Sequence, residues 1–417
     1  MNAGQFRRVA VTGLGIVSPF GGDTADFFAR LLAGQSAIRW YRHPLVRSGV
    51  EGPAVHCPEF DAEAALGKQI GSVTDRFSQL GIAAAFTAWN DAGLRREGDG
   101  SEAYGVSWGT GIGGTMTMEK GYVEFYEQGK SRASPLSVPM VMNNAAASHI
   151  AIALGLGGAC LSYSVACASS AISIGEAFRR IRSGEQELVV AGGSEAPLST
   201  SVMRAWEAMR VIAECDEQSA NRACRPFQAG RSGLVLGEGA AALVLEEREH
   251  AQARGARIYC ELAGFGQSCD RFHLVRPDAG GQARAMRSAL QDAQLDADEV
   301  GYVNAHGAGT RDGDAIEVRS LVDVFGAQAP DLPVSSTKSM HGHTLGAAGA
   351  IEALVTVLSL ARGCAPPTAN LERVAEDCSG VRHIMGSALA APSMRAAISN
   401  SFAFGGSNAV LVFRKAS

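Results

Sequence analysis

Short apolar runs ending in glycine alternate with longer helical patterns along most of this 417-residue chain. Arg8 to Gly15 reads as a buried strand entering a glycine turn. Tyr104 to Trp108, Leu188 to Gly193 and Ala240 to Leu245 read the same way. Phe27 to Leu32, Phe77 to Ala92, the stretch after Pro139 up to Leu156, and Ala168 to Arg180 carry helical spacing between them. The second half continues with strands at Val300 to Ala305, Leu332 to Ser336, Ala396 to Ser399 and Ala409 to Phe413, and a helix over His343 to Leu360. This alternation predicts an α/β fold of mixed, mostly parallel sheets covered by helices. One helix-then-strand passage ends in Gly192-Gly193 and a second in Gly405-Gly406, which predicts two related halves. The charged run Glu246 to Arg257 is the best junction, placing the halves at 1–255 and 256–417.

Fifty glycines with only 19% charged residues suit a tightly turned globular enzyme and exclude a fibrous or disordered chain. With a net charge of −5 and no basic run, nothing suggests nucleic acid or a membrane surface, and neither is expected as a partner. Nine scattered cysteines with no CxxC pair predict a reducing compartment, with neither a disulfide framework nor a metal site. Met1 to Arg8 holds no apolar leader core, and no apolar stretch reaches bilayer length free of charged or polar breaks. The protein is expected to be soluble and cytoplasmic. Arg42 to Asp61, with Pro44, Pro53 and Pro58, is expected to be irregular. Gly13-Leu14-Gly15 invites a dinucleotide-binding reading, which Pro19 defeats by standing where the phosphate-binding helix would start.

Three stretches could carry chemistry. In Val165-Ala166-Cys167-Ala168-Ser169-Ser170, the cysteine sits where a strand turns into a helix. Free amides and the helix dipole there favour thiolate over thiol, and could receive an oxyanion. His306 follows a buried strand in Asn304 to Thr310, where α/β folds place active sites. His343 lies at an expected helix start in Lys338 to Gly349, with His341 expected as a surface neighbour. The glycine loop Phe402 to Asn408 by itself reads as a turn between strands.

Together these motifs resemble the β-ketoacyl-acyl carrier protein synthases, the Cys-His-His condensing enzymes of fatty acid and type II polyketide synthesis. The resemblance runs from Val9 to about Arg414. It implies the thiolase fold, with two similar halves in a five-layered α-β-α-β-α stack. It implies decarboxylative condensation of an acyl group on Cys167 with malonyl-acyl carrier protein. His306 and His343 would bind the malonyl thioester carbonyl, and Lys338 and Glu352 would support them. The amides of Cys167 and Phe404 would form an oxyanion hole, with Phe404 also a gate. Ile112 would line the acyl pocket, while Thr310 and Gly405 would contact substrate. Lys68, Arg132 and Arg210 would dock the carrier protein. No cofactor is implied, since phosphopantetheine arrives on the carrier, and the assembly would be a homodimer or a heterodimer with a second ketosynthase-like subunit.

The chemistry of the residues agrees with the resemblance. A thiolate is both nucleophile and leaving group, and loss of CO2 yields an enolate at neutral pH if donors hold the thioester oxygen. Departures from the family pattern are Ala308 for a hydroxyl residue, Ala403 for a glycine, His341 for a threonine, and Ser137 where an aromatic often lies near the pocket floor. A thiolase would need a second cysteine near Ala403 and Phe404. A Cys-His-Asn synthase would not carry His343. A non-catalytic chain-length partner, the reading from another class, would lack Cys167.

Overall fold

The computed structural model describes residues 6–44 and 49–416. Residues 1–5 of the expected leaderless start, and residues 45–48 of the expected irregular stretch, lie outside these. That stretch is not wholly irregular: Glu51–Val55 pairs antiparallel with Arg39–Arg42.

Ten strands make the frame. In the first half they are β1 (Val9–Val17), β2 (Tyr104–Gly109), β3 (Cys160–Tyr163), β4 (Leu188–Glu195) and β5 (Gly239–Glu247). In the second they are β6 (Cys260–Cys269), β7 (Val300–Asn304), β8 (Pro333–Ser335), β9 (Ala396–Ala403) and β10 (Ser407–Arg414). The first five order as β3-β2-β4-β5-β1 and the second five as β8-β7-β9-β10-β6. Each strand of one half thus has its counterpart in the other, with the same neighbours and the same direction. The two sheets join along a short antiparallel seam, Val9–Val11 against Cys260–Leu262.

The sheets are mixed but not mostly parallel. The β2–β3, β2–β4, β7–β8 and β7–β9 ladders are parallel, whereas β1–β5, β4–β5, β6–β10 and β9–β10 are antiparallel. One reason is legible in the sequence: only three residues, Phe404 to Gly406, separate β9 from β10. A link that short cannot return the chain to a parallel start.

The helices repeat with the strands. They are α1 (Arg76–Asp91), α2 (Ala145–Leu154) and α3 (Ser169–Arg182) in the first half, then α4 (Ala279–Ala293), α5 (Arg311–Phe325) and α6 (Ala348–Arg362). Alternate residues of one strand serve two cores, as the pleat requires. Ala241, Leu243 and Leu245 face α3 and α6 in the central core. Ala240, Ala242 and Val244 face α1 and α2. On the far side, α4 and α5 cover β7, β9 and β10. The layers therefore run helix, sheet, helix, sheet, helix, which is the thiolase fold. The central layer is hydrophobic all round because it is covered on both sides. Leu345–Arg362 is long and apolar enough to cross a bilayer, yet 89% of it is buried inside the protein.

The early glycine pair has a packing role, and it has a twin. Added Cβ atoms at Gly13 and Gly15 would come within 2.2 and 2.0 Å of the Ala88 and Ala84 carbonyls of α1. At Gly264 and Gly266 of β6 they would come within 2.5 and 2.1 Å of Ala289 and Ala285 of α4. Glycine here permits the helix to lie directly on the strand.

Candidate active site

Cys167 stands at a sharp elbow between β3 and α3. Ala166 takes φ +44°, the left-handed region that L-residues avoid. Such a conformer costs on the order of 1–3 kcal/mol and persists only if its surroundings fix it. Ser169 does so: its hydroxyl accepts from the Val165 amide at 2.8 Å and donates to the Ala166 carbonyl at 2.6 Å. The elbow sets Cys167 before the first turn of α3, buried among Leu198, Met203, Ala308 and Leu345. The Phe404 amide is directed at its sulfur. Burial pushes the thiol up to about 12, against the pull of the Lys338 charge and that amide. Burial therefore opposes the thiolate that the helix end and Lys338 favour. Desolvation penalises the charged form more than the nearby positive groups favour it.

The second half supplies both histidines from the C-terminal ends of β7 and β8. The His306 and His343 rings meet edge to face with centroids 5.3 Å apart. His343 does not begin the long helix; it lies in a loop after the short helix Lys338–His341, and α6 starts only at Ala348. Its backbone is fixed by bonds to Val235 at 2.7 Å and from Gly237 at 3.0 Å.

Lys338 is completely buried and organises the pair. Its ammonium donates to the His306 carbonyl at 2.6 Å, lies 3.4 Å from His306 Nδ1, and pairs with the Glu352 carboxylate. A cation beside Nδ1 makes that nitrogen the acceptor, so the proton of neutral His306 sits on Nε2. Burial first, then the Lys338 charge, hold both histidines well below the ordinary imidazole value. Burial lifts Glu352 to about 7 although Lys338 adjoins it. The result is two neutral imidazoles, His306 held by the buried Lys338–Glu352 pair and His343 by its backbone bonds.

Cys167, His306, His343 and Phe404 all line one cavity of about 490 Å³, together with Ala308 and Thr310. On one side of it Phe404 stacks on Trp206, centroids 5.7 Å apart and planes 20° from parallel. Arg210, Arg276 and Arg311 are the cations along its walls.

Other expected residues fall elsewhere. Ile112 is 39% exposed and does not line this cavity; its amide bonds Glu195 instead. Gly405 is exposed next to Phe404, donating its amide to the Leu274 carbonyl at 2.7 Å. Glu352 lies behind Lys338 and does not line this cavity. Lys68 and Arg132 are exposed but away from the mouth, which only Arg210 of the three lines. His341 is not a surface neighbour: it is buried, with Nε2 3.0 Å from the Thr337 hydroxyl. It faces inward because Lys338–His341 is a single helical turn sunk in the core. Ser137, in the short helix Ser137–Val141, does not line the cavity.

The chain matches the β-ketoacyl synthase N-terminal domain over residues 6–251 and the C-terminal domain over 259–372. It belongs to the β-ketoacyl synthase family. The synthase is 41% identical to 3-oxoacyl-[acyl-carrier-protein] synthase 2 of Vibrio harveyi, covering 98% of this chain and 99% of that one. It is 40% identical to nodulation protein E of Rhizobium sp. (strain N33), with the same coverage. Its structure matches a ketosynthase from the AntDE:AntF complex, a type II polyketide synthase acyl-carrier protein with its ketosynthase, at a TM-score of 0.90 and 31% identity over 99% of this chain. It is a condensing enzyme of the acyltransferase class.

Sequence reasoning passed over several buried carboxylates that hold the synthase's site. Glu317 of α5 accepts from the His306 and Gly307 amides at 2.9 and 2.7 Å and from Asn400 at 3.1 Å. Glu195, at the end of β4, accepts from Gly111 and from Gly346 at 3.0 Å, so it ties a loop of one half to the other. For Glu317 a helical position eleven residues past His306 was the available signal. For Glu195, facing a partner 151 residues away, there was none.

Proposed function

We propose that the synthase condenses an acyl group held on Cys167 with a malonyl unit delivered on an acyl carrier protein, giving a 3-oxoacyl product. One observation carries this reading: a cysteine at a strained elbow and two neutral histidines open onto the same cavity, with the Phe404 amide aimed at the sulfur. In the first step the Cys167 sulfur bonds the acyl carbonyl carbon. The pantetheine thiol leaves with the proton. The amides of Cys167 and Phe404 hold the oxyanion of that step. In the second, the malonyl C–C bond breaks, CO2 departs, and the His306 and His343 N–H groups stabilise the enolate oxygen. The enolate carbon then attacks the acyl carbonyl, and Cys167 leaves as thiolate and takes up a proton.

Lys338, backed by Glu352, holds His306 in place, and no resident cofactor is required, since phosphopantetheine comes with the carrier. Arg210 together with Arg276 and Arg311 supplies positive charge where the carrier would dock. We further infer a dimer. The exposed side chains of Tyr122, Phe125, Tyr126, Leu136, Val138 and Ile152 come from neighbouring helical segments of the first half. They lie on the half whose outermost strand is the open edge β3. Apolar exposure of this kind beside an unpaired strand edge marks an association surface, and a copy of this chain or a ketosynthase-like subunit fits it.

Purified protein mixed with hexanoyl- and malonyl-acyl carrier protein should release CO2 and form 3-oxooctanoyl-acyl carrier protein. Intact mass should show a hexanoyl adduct on Cys167 when malonyl carrier is withheld. Product formation by Cys167→Ala would overturn the assignment.

A further inference from the structure

The loop 306–311 forms one wall of the cavity, and its backbone is fixed by Glu317, which also lines the cavity, and by Ser336, Asp314 and Arg231, which do not. Glu317 takes the amides of His306 and Gly307. The Ser336 hydroxyl donates to the Gly307 carbonyl at 2.6 Å. Asp314 accepts from the Gly309 amide at 3.1 Å and from Phe227 at 2.8 Å. The last two residues, Thr310 and Arg311, are held by Arg231. Its Nε donates to the Thr310 carbonyl at 3.0 Å and its Nη2 to the Arg311 carbonyl at 2.5 Å. The guanidinium is 5% exposed, lies 3.6 Å from Asp314, and is closed from outside by Asp377 at 3.0 Å.

The geometry points to Arg231 as a positioning residue that sets Thr310 for the pantetheine arm. This rests on the condensation proposed above and on the substrate contact that the family resemblance implies for Thr310, which lines the cavity and is taken here to meet the pantetheine arm. Thr310 is the N-cap of α5, yet its side chain makes no capping hydrogen bond, so its hydroxyl is not used to hold the helix. What points that side chain is the backbone, and the backbone is anchored through two successive carbonyls by one planar fork. With Ala308 in place of a second hydroxyl residue, Thr310 carries this contact alone. A lysine at 231 keeps the charge beside Asp314 and Asp377 but has no fixed fork to grip adjacent carbonyls.

The test compares two acyl donors. Arg231→Lys should raise KM for hexanoyl-pantetheine about 3- to 10-fold, the range of one neutral hydrogen bond lost, with kcat within about 2-fold. Acylation of Cys167 by S-phenyl thiohexanoate, which has no arm, should stay within about 2-fold of wild type, because no Thr310 contact is involved. Equal losses on both donors, or a lower Tm with both unchanged, would overturn the positioning role. Should Arg231→Lys fail to fold, Asp377→Ala loosens the same clamp from the surface. It should raise the pantetheine KM about 2-fold, through partial loss of that bond, and an unchanged KM would reject the proposal. Thr310→Ala separates the two layers of argument. If it leaves the pantetheine KM unchanged, the arm does not pass Thr310 and the proposal falls with that path, while condensation on Cys167 stands.

Discussion

At the scale of single residues, the site works by withholding charge until it is needed. Cys167 is buried, and its thiol is pushed up to about 12. Its thiolate fraction therefore grows with pH well past neutrality. Alkylation of Cys167 by iodoacetamide, followed by peptide mapping, should rise roughly tenfold per pH unit from 7 to 9, as an undissociated thiol requires. A plateau below pH 8 would mean that the helix end and Lys338 outweigh desolvation. Cys160 and Cys269 are exposed, so they serve as internal references. The histidines behave in the opposite sense. Both are held well below the ordinary imidazole value, so imidazolium forms only far below pH 6.5. Neither histidine should put an inflection into malonyl decarboxylation near pH 6.5; a step near 7 would report Glu352 behind Lys338. His306→Ala and His343→Ala should each slow it roughly 10²-fold or more, as loss of an oxyanion donor does, while acyl transfer to Cys167 stays near wild type. Poor acylation with normal CO2 release would exchange these roles.

At the scale of elements, the two halves solve one packing problem twice. In each half a helix lies against glycines on the first strand, α1 against Gly13 and Gly15, and α4 against Gly264 and Gly266. Gly266→Ala would drive a Cβ to 2.1 Å from the Ala285 carbonyl, and backbone cannot yield as a flexible side chain can. The expected cost is on the order of 1–3 kcal/mol or more, read as a lower denaturation midpoint in urea. Gly121→Ala, where nothing lies within 4 Å, should be neutral or slightly stabilising. Equal midpoints for the two variants would remove the close-approach argument.

At the scale of the molecule, the site belongs to both halves. The first gives Cys167 and the second gives His306, His343 and Phe404, and Glu195 fastens loop 110–113 to Gly346 across the join. The apolar surface on the first half bears on assembly. Tyr126 is 84% exposed and Val138 67% exposed. Charges placed there, as Tyr126→Asp with Val138→Asp, would have to be desolvated on association. The double variant should sediment at half the mass of the parent protein. An unchanged sedimentation coefficient would place the interface on another face.

The sequence alone determined what local pattern can carry. Strands and helices were legible because burial on both faces leaves apolar runs and burial on one face leaves a helical stripe, and the Cys167, His306 and His343 motifs were legible because each sits at the end of such an element. Only the tertiary structure decided the rest. The sheets proved half antiparallel because direction depends on which strands meet, not on each strand's own pattern. His341 turned inward, and Ile112, Lys68 and Arg132 fell away from the cavity, because a residue's surroundings are set by distant chain. The state of Cys167 was decided the same way. The local turn puts the sulfur at a helix N-terminus, which favours the anion. The walls that desolvate it, from Leu198 to Leu345, come from both halves and oppose that ionisation.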